Sequence, residues 1–309
     1  MMKILRTAVC VVSIGLLPVA AGAAILPVVP DGAQALSLFG KPLYAAEAGE
    51  STLERLDAAR RDYEANPDDA DNIIWYGRRT AYTGDFRGAI RIFSEGIEKF
   101  PDDARMYRHR GHRYISIRQF DRAIADLEHA AKLIEGTENE IEPDGLPNAM
   151  NIPVSSLHGN IWYHLGLAYY LKHDWANAQR AYQNGFDSGR NDDNRVSTTH
   201  WLYMIARRMG DEAAAERALE PISADMNVIE NHSYYNLCKF YKGLMSLEDM
   251  MSTIDDSTAG AAGHYGVANW HWYNGDEDTA TEMLHDILAS DGWASFGYIA
   301  AEADVASRD

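Results

Sequence analysis

Residues 67–90 read PDDADNIIWYGRRTAYTGDFRGAI and residues 101–124 read PDDARMYRHRGHRYISIRQFDRAI, and a shift of 34 residues lays one over the other. Pro67, Asp68, Asp69, Ala70, Gly77, Phe86, Ala89 and Ile90 fall on Pro101, Asp102, Asp103, Ala104, Gly111, Phe120, Ala123 and Ile124. A fixed period of this size marks helix pairs that cannot bury their apolar faces alone. The expected fold class is therefore all-α, an α-solenoid built by stacking such pairs.

Other stretches carry the same pattern less completely. Trp162-x-x-Leu165-Gly166-x-x-Tyr169, followed by Ala178 and Tyr182, places a large residue, a small crossing residue and an aromatic ring at helical spacing. Small pairs recur as Gly77 with Ala89, Gly111 with Ala123 and Ala268 with Ala280. A short side chain is needed where two helices cross, because only then can the backbones approach. Gly84-Asp85, Gly210-Asp211 and Gly275-Asp276 each offer a left-handed stop for one helix and a side-chain cap for the next. The turns Asn191-Asp192-Asp193-Asn194 and Asp276-Glu277-Asp278 read as helix caps, since they lack calcium-loop spacing.

These motifs resemble the tetratricopeptide repeat, a helix-turn-helix family. The resemblance implies a right-handed superhelix of about six units, beginning near Ala70, Ala104, Gly159, Val196, Asn227 and Ala261. The fourth unit has Tyr203 where the crossing glycine belongs, and the fifth keeps little beyond length and apolar spacing. Terminal helices are expected at both ends. Ser51 and Glu54 suggest a capping box for the first, with Leu53, Leu56, Ala59 and Tyr63 on its apolar face. Trp293, Phe296, Ala300 and Ala303 share a face in the last.

The 309 residues are 46% hydrophobic and 24% charged, ordinary globular usage. Lys3 and Arg6 precede an apolar run from Thr7 to Ala21 that ends in Ala21-Gly22-Ala23, the order of a secretory signal peptide cleaved after residue 23. This predicts a periplasmic or secreted protein with no integral membrane segment once cleaved. Cys10 lies inside the apolar run, so Cys238 would be left without an internal disulfide partner. Residues 24–50, rich in Ala, Pro and Gly, read as a flexible lead-in to a repeat domain spanning 51–309. The formal charge of −18 argues against nucleic acid as a partner.

One interruption breaks the period. Gly111 and Gly166 stand 55 residues apart, and the excess lies in 136–158, with Pro143, Pro147, Pro153, Glu138, Glu140, Glu142 and Asp144. Loops of this length inside a repeat array are often functional or disordered.

No nucleophile elbow, zincin, P-loop or thioredoxin-like motif is present, and no catalytic residue or cofactor is assigned. The resemblance implies that the first helix of each unit lines a concave surface. On this chain it points to Trp75, Arg78 and Tyr82; Arg105, Arg108, His109 and His112; Tyr163, His164 and Tyr170; His200, Trp201, Arg207 and Arg208; and Tyr265, Asn269, Trp272 and Tyr273. These are arginine, histidine and aromatic residues with almost no acid, in a chain with 46 acidic and 28 basic residues. The expected function is a scaffold that binds a protein or peptide, acidic in character, in an open Arg/His/aromatic groove. The alternative is an enzyme or enzyme accessory using that groove as a substrate cleft. His109-x-x-His112 places two rings on one helix face, as zinc or copper sites do, but no ligating Cys or acid accompanies them and no metal is assigned.

Overall fold

The structure is a computed structural model that describes residues 26–255 and 258–308. The segment read as an export signal lies outside the described residues. Six helix pairs follow one another: α2 (Ala70–Tyr82) with α3 (Phe86–Lys99), α4 (Ala104–Ser116) with α5 (Phe120–Leu133), and α6 (Leu157–Tyr170) with α7 (Trp175–Ser188). Then come α8 (Asp192–Arg208) with α9 (Glu212–Leu219), α10 (His232–Tyr241) with α11 (Leu247–Ser252), and α12 (Thr258–Tyr273) with α13 (Glu277–Ala289). Before them stands α1 (Glu50–Ala65), and after them α14 (Phe296–Ala306).

The crossing residues behave as small residues must. A methyl group at Gly77 would lie 2.5 Å from the Phe93 ring, one at Gly111 2.7 Å from Leu127 Cγ, and one at Gly166 2.6 Å from the Tyr182 ring. In each case the partner is the residue sixteen positions on, so one crossing geometry is repeated. In the fourth unit Tyr203 replaces the glycine and is itself buried, stacked on Tyr241 at 4.3 Å. The turns follow the sequence: Gly84, Gly210 and Gly275 adopt φ of +84°, +72° and +86°, and Asp85, Asp211 and Asp276 cap the next helix by accepting from Gly88, Ala214 and Thr279 N–H.

Three expectations are corrected. Residues 24–50 are not a flexible lead-in over their described part, because β1 (Ala33–Leu36) and β2 (Pro42–Tyr44) pair antiparallel. Ala33, Ala35 and Leu43 of this hairpin are buried, and the Trp293 indole donates to Tyr44 O at 2.7 Å. Burial of these small apolar side chains outweighs the turn-rich composition. The capping box does not form: α1 begins two residues early at Glu50, after Gly49 without a side-chain cap. The fourth unit begins at Asp192, where Asn191 accepts from Asn194 N–H, so the polar turn extends the helix.

Candidate functional site

The first helices of the units do face inward together, but the groove they line is not open. Helix α14 lies inside it. Phe296 meets the rings of His112, Tyr163 and His164 at centroid distances of 5.3, 6.1 and 5.7 Å. Asp304 accepts from Arg208 Nη2 at 2.5 Å and Tyr265 Oη at 2.9 Å, and pairs with His173 Nε2 at 3.0 Å. Glu302 accepts from Arg118 Nε at 2.9 Å and Nη2 at 2.6 Å, and from Leu38 N–H at 2.6 Å. Every residue from Gly297 to Asp304 is buried, so α14, which packs on the last pair α12 and α13 as a terminal helix, is also a core element. Burial alone would raise the Asp304 carboxyl; Arg208, His173 and Tyr265 hold it below its ordinary value.

The predicted residues accordingly divide into three groups. Tyr170, His200, Trp201, Tyr265 and Asn269 are about 1% exposed and belong to the core around α14. Tyr170 and Tyr265 share a hydroxyl contact of 2.8 Å, and Trp201 stacks on Tyr182 at 5.7 Å. Several cations are already satisfied. Arg105 pairs with Asp103 and Asp71, both at 2.6 Å; Arg207 pairs with Glu212 at 3.1 Å and donates to Tyr273 O; Arg208 donates to Asn269 Oδ1 as well as to Asp304. Trp272 lies under the Arg308 guanidinium at 3.6 Å. The scarcity of acid read from the first helices is thus corrected mostly from outside them, Asp71 of α2 excepted.

A second group lies beneath the insertion, which crosses the mouth of the groove as a strap. Glu142 meets Arg108 Nη2 at 3.1 Å and accepts from Asn160 Nδ2 at 2.5 Å. Gly145 O accepts from Arg79 Nη1 at 2.8 Å, and Asn148 donates to Glu230 at 3.0 Å. Trp75, Arg78 and His109 line a small cavity of about 120 Å³ under Glu142 and Pro143. Arg78 rests on the Trp75 ring at 4.4 Å, and His109 stacks on Phe93 at 5.3 Å.

The third group lines a cavity: Arg108, His112, Tyr163 and His164 surround about 350 Å³ at the mouth, closed on other sides by Asn231, Tyr234 and Phe296. The starts of α6, α8 and α10 converge here. Asp193, about 1% exposed, accepts from Ile229, Glu230 and Asn231 N–H at 2.8–2.9 Å and fixes the entry to α10. Trp201 Nε1 donates to Tyr163 Oη at 3.1 Å, and Tyr163 and Tyr234 hydroxyls lie 2.7 Å apart, carrying a polar chain from the core to the cavity wall. His112 and His164 pack at 4.2 Å. Burial first, then Arg113 for His112 and Arg108 for His164, pushes both imidazoles well below their ordinary value, so they are neutral. The cavity offers neutral rings, amides and hydroxyls around one arginine, with the carboxyl groups of Asp193 and Glu230 on its wall. That set suits recognition by hydrogen bonds and ring contacts.

Two turns explain how α14 is held. The position occupied by glycine at 84, 210, 243 and 275 is Arg118 and His173 in the second and third units, with φ of +61° and +57°. Left-handed backbone at a residue with a side chain costs of order 1 kcal/mol. Both side chains reach α14, Arg118 to Glu302 and His173 to Asp304. Departure from glycine at these two turns, with Glu302 and Asp304 at the other end, was the sequence signal for the buried helix; Phe296, Asn160, Asn231 and Tyr234 left no such signal.

Six hairpins in register, with the same small-residue crossing at Gly77, Gly111 and Gly166, decide the architecture. The chain folds as an α-solenoid of stacked helix hairpins. No family model matches the sequence, and no curated protein matches it. Among solved structures, this array is similar to YrrB, a TPR protein with an unusual peptide-binding site, at 16% identity and a TM-score of 0.43, over 75% of this chain and 92% of that one. It is also similar to PilW, a widely conserved type IV pilus biogenesis factor, at 10% identity and a TM-score of 0.43, over 79% and 94%. A chain of the APC/C hetero-tetramer Cut9–Hcn1 matches at 15% identity and 0.48, over 77% of this chain and 43% of that one. These likenesses concern the fold alone. Among the described residues no helix is long and apolar enough to cross a membrane.

Proposed function

We propose that the protein is an exported interaction scaffold that takes a short segment of a partner protein into the mouth cavity. The observation that carries this reading is the division of the inner face: α14 fills its centre, the strap covers one flank, and the 350 Å³ cavity lined by Arg108, His112, Tyr163 and His164 lies at the mouth. Its size lies at the lower end of the range of ligand pockets, enough for about two side chains of a partner. Export is supported by the basic, apolar and small-residue order of residues 1–23. A hydrolytic role finds less support, because His164 Nδ1 is spent on Asn160 O at 2.6 Å and neither cavity imidazole bonds a serine hydroxyl.

A photo-crosslinking amino acid placed at Ser155 on the cavity wall, and separately at Gln183 on the outer face of α7, tests the proposal in cells. A partner peptide joined at position 155 and absent at 183 is the expected result. Equal labelling at both positions, or none at 155, would sink it.

A further inference from the structure

Under the strap, buried arginines meet acids that pair them incompletely. Arg78, Arg108 and Arg113 act on one another electrostatically, and all three come from the first helices of neighbouring units, α2 and α4. Arg108 spends Nη1 on His109 Nδ1 at 2.7 Å and Nη2 on Glu142, while its Nε is buried without a partner. The Nε of Arg78 is likewise buried and unpaired. Arg113 lies over the Phe86 ring at 5.4 Å and has no carboxylate partner among the described residues. Burial, then repulsion from Arg108 and Arg78, pulls it down to about 10 against the help of Tyr82. Two acids of the strap, Glu142 and Asp144, serve Arg78 and Arg108 poorly. Glu142 meets Arg108 with a single nitrogen, and Asp144 Oδ2 is buried without a partner.

The same protein shows what a completed pair looks like. Arg110 grips Asp126 through Nε and Nη2, each at 2.7 Å, the two-pronged geometry that carboxylates and guanidiniums favour. The strap carries Leu146, Met150 and Ile152 exposed on its outer side, at 68%, 61% and 43%. Gly145 sits so close over Tyr82 Oη and Arg78 that a methyl group there would lie 1.9 Å from the hydroxyl.

We propose that Arg78 and Arg108 form a site for the carboxylates of an acidic peptide segment, and that Glu142 and Asp144 occupy it as an internal stand-in that such a segment displaces. The strap is then a gate next to the mouth cavity, and the inference rests on the scaffold reading above. Competition between strap and peptide follows from simple linkage: removing the stand-in strengthens the ligand by whatever the stand-in cost it.

The test uses the full chain and a fluorescein-labelled octaglutamate peptide, followed by anisotropy at low salt. Glu142→Gln with Asp144→Asn is expected to bind it on the order of tenfold more tightly than the parent, and Arg108→Gln in that background is expected to abolish the gain. Gly145→Val, which wedges the strap while leaving both acids, should also gain affinity and guards against a misfolded double variant. No gain in either folded variant, or a gain that survives Arg108→Gln, would overturn the proposal. Inorganic phosphate competing as well as the peptide at equal charge would overturn the commitment to a carboxylate segment. A gain for octaglutamate without a crosslink at Ser155 sinks the scaffold reading alone; the crosslink without the gain sinks only the strap.

Discussion

Of four inner-face histidines, His109, His164 and His200 are buried and His112 is half-buried, and burial is the first cause that pushes each ring below its ordinary value near 6.5, His200 down to about 3. The folded state keeps these rings neutral, whereas the unfolded chain protonates them once pH falls below about 6.5. Proton uptake therefore favours unfolding, and stability is lost as pH drops below that value by up to about 1.4 kcal/mol per pH unit for each ring. Melting temperature measured from pH 7.5 to 5 should fall steadily through this window. His200 makes a sharper case, because its Nε2 is buried without a partner and the ring stacks on Tyr234 at 4.9 Å. His200→Phe should leave stability at pH 7 unchanged or slightly higher and flatten the acid slope by one ring's share; an unchanged slope would mean that His200 is not neutral. Asp304 works in the opposite range. Its carboxyl is held low by Arg208, His173 and Tyr265 against burial, so its contribution is present above the ordinary carboxylate value and is lost as pH falls beneath it. Asp304→Asn removes the partner of a buried arginine and should cost about 3–5 kcal/mol in urea denaturation at pH 7.

At the scale of elements, what was legible in the sequence is what is local. The crossing residues Gly77, Gly111 and Gly166, the turn glycines and the capping aspartates act within one hairpin, so a single repeat unit determines them and the period reveals them. Helix α14 was legible as a terminal helix but not as a core element, because its Ala-rich run fits any close-packed surface. Two acids on a short terminal helix are also ordinarily solvated. Only partners far away in the chain, Arg118 and Arg208, make Glu302 and Asp304 core residues. The hairpin of β1 and β2 was missed for the same reason: its strands are three and four residues long and owe their order to packing near Trp293. Removal of α14 tests its standing. A chain ending at Ser295 would expose the inner rings and leave Arg118 and Arg208 without carboxylates, so it should lose its urea transition or shift it by several kcal/mol. A synthetic peptide of residues 296–306 added to it should restore part of the near-ultraviolet circular dichroism; a truncated chain as stable as the parent would contradict the core role.

Over the whole molecule, the question is how far repeat logic still governs stability. An open array of stacked hairpins holds itself by nearest-neighbour contacts, and its ends open first. Here the ends are tied together. Leu38 N–H donates to Glu302 across 264 residues of chain, Trp293 reaches Tyr44 across 249, and Arg118 reaches Glu302 across 184. Through these contacts the hairpin, the second unit and the terminal helix share one buried carboxylate, so opening one end exposes the charge that holds the other. The array should then unfold as one cooperative unit. Native-state hydrogen exchange ought to show α14 and the hairpin protected to the same free energy as α4 and α6, with one urea transition seen by every probe. Glu302→Gln is expected to separate them, because a neutral amide makes a weaker bond to Arg118 and leaves its charge buried. The terminal elements would open first, at lower urea than the central hairpins, while α4 to α7 keep their protection. Graded protection from the centre outward in the parent chain would show that the ties between the ends contribute little and that stacking alone sets the stability.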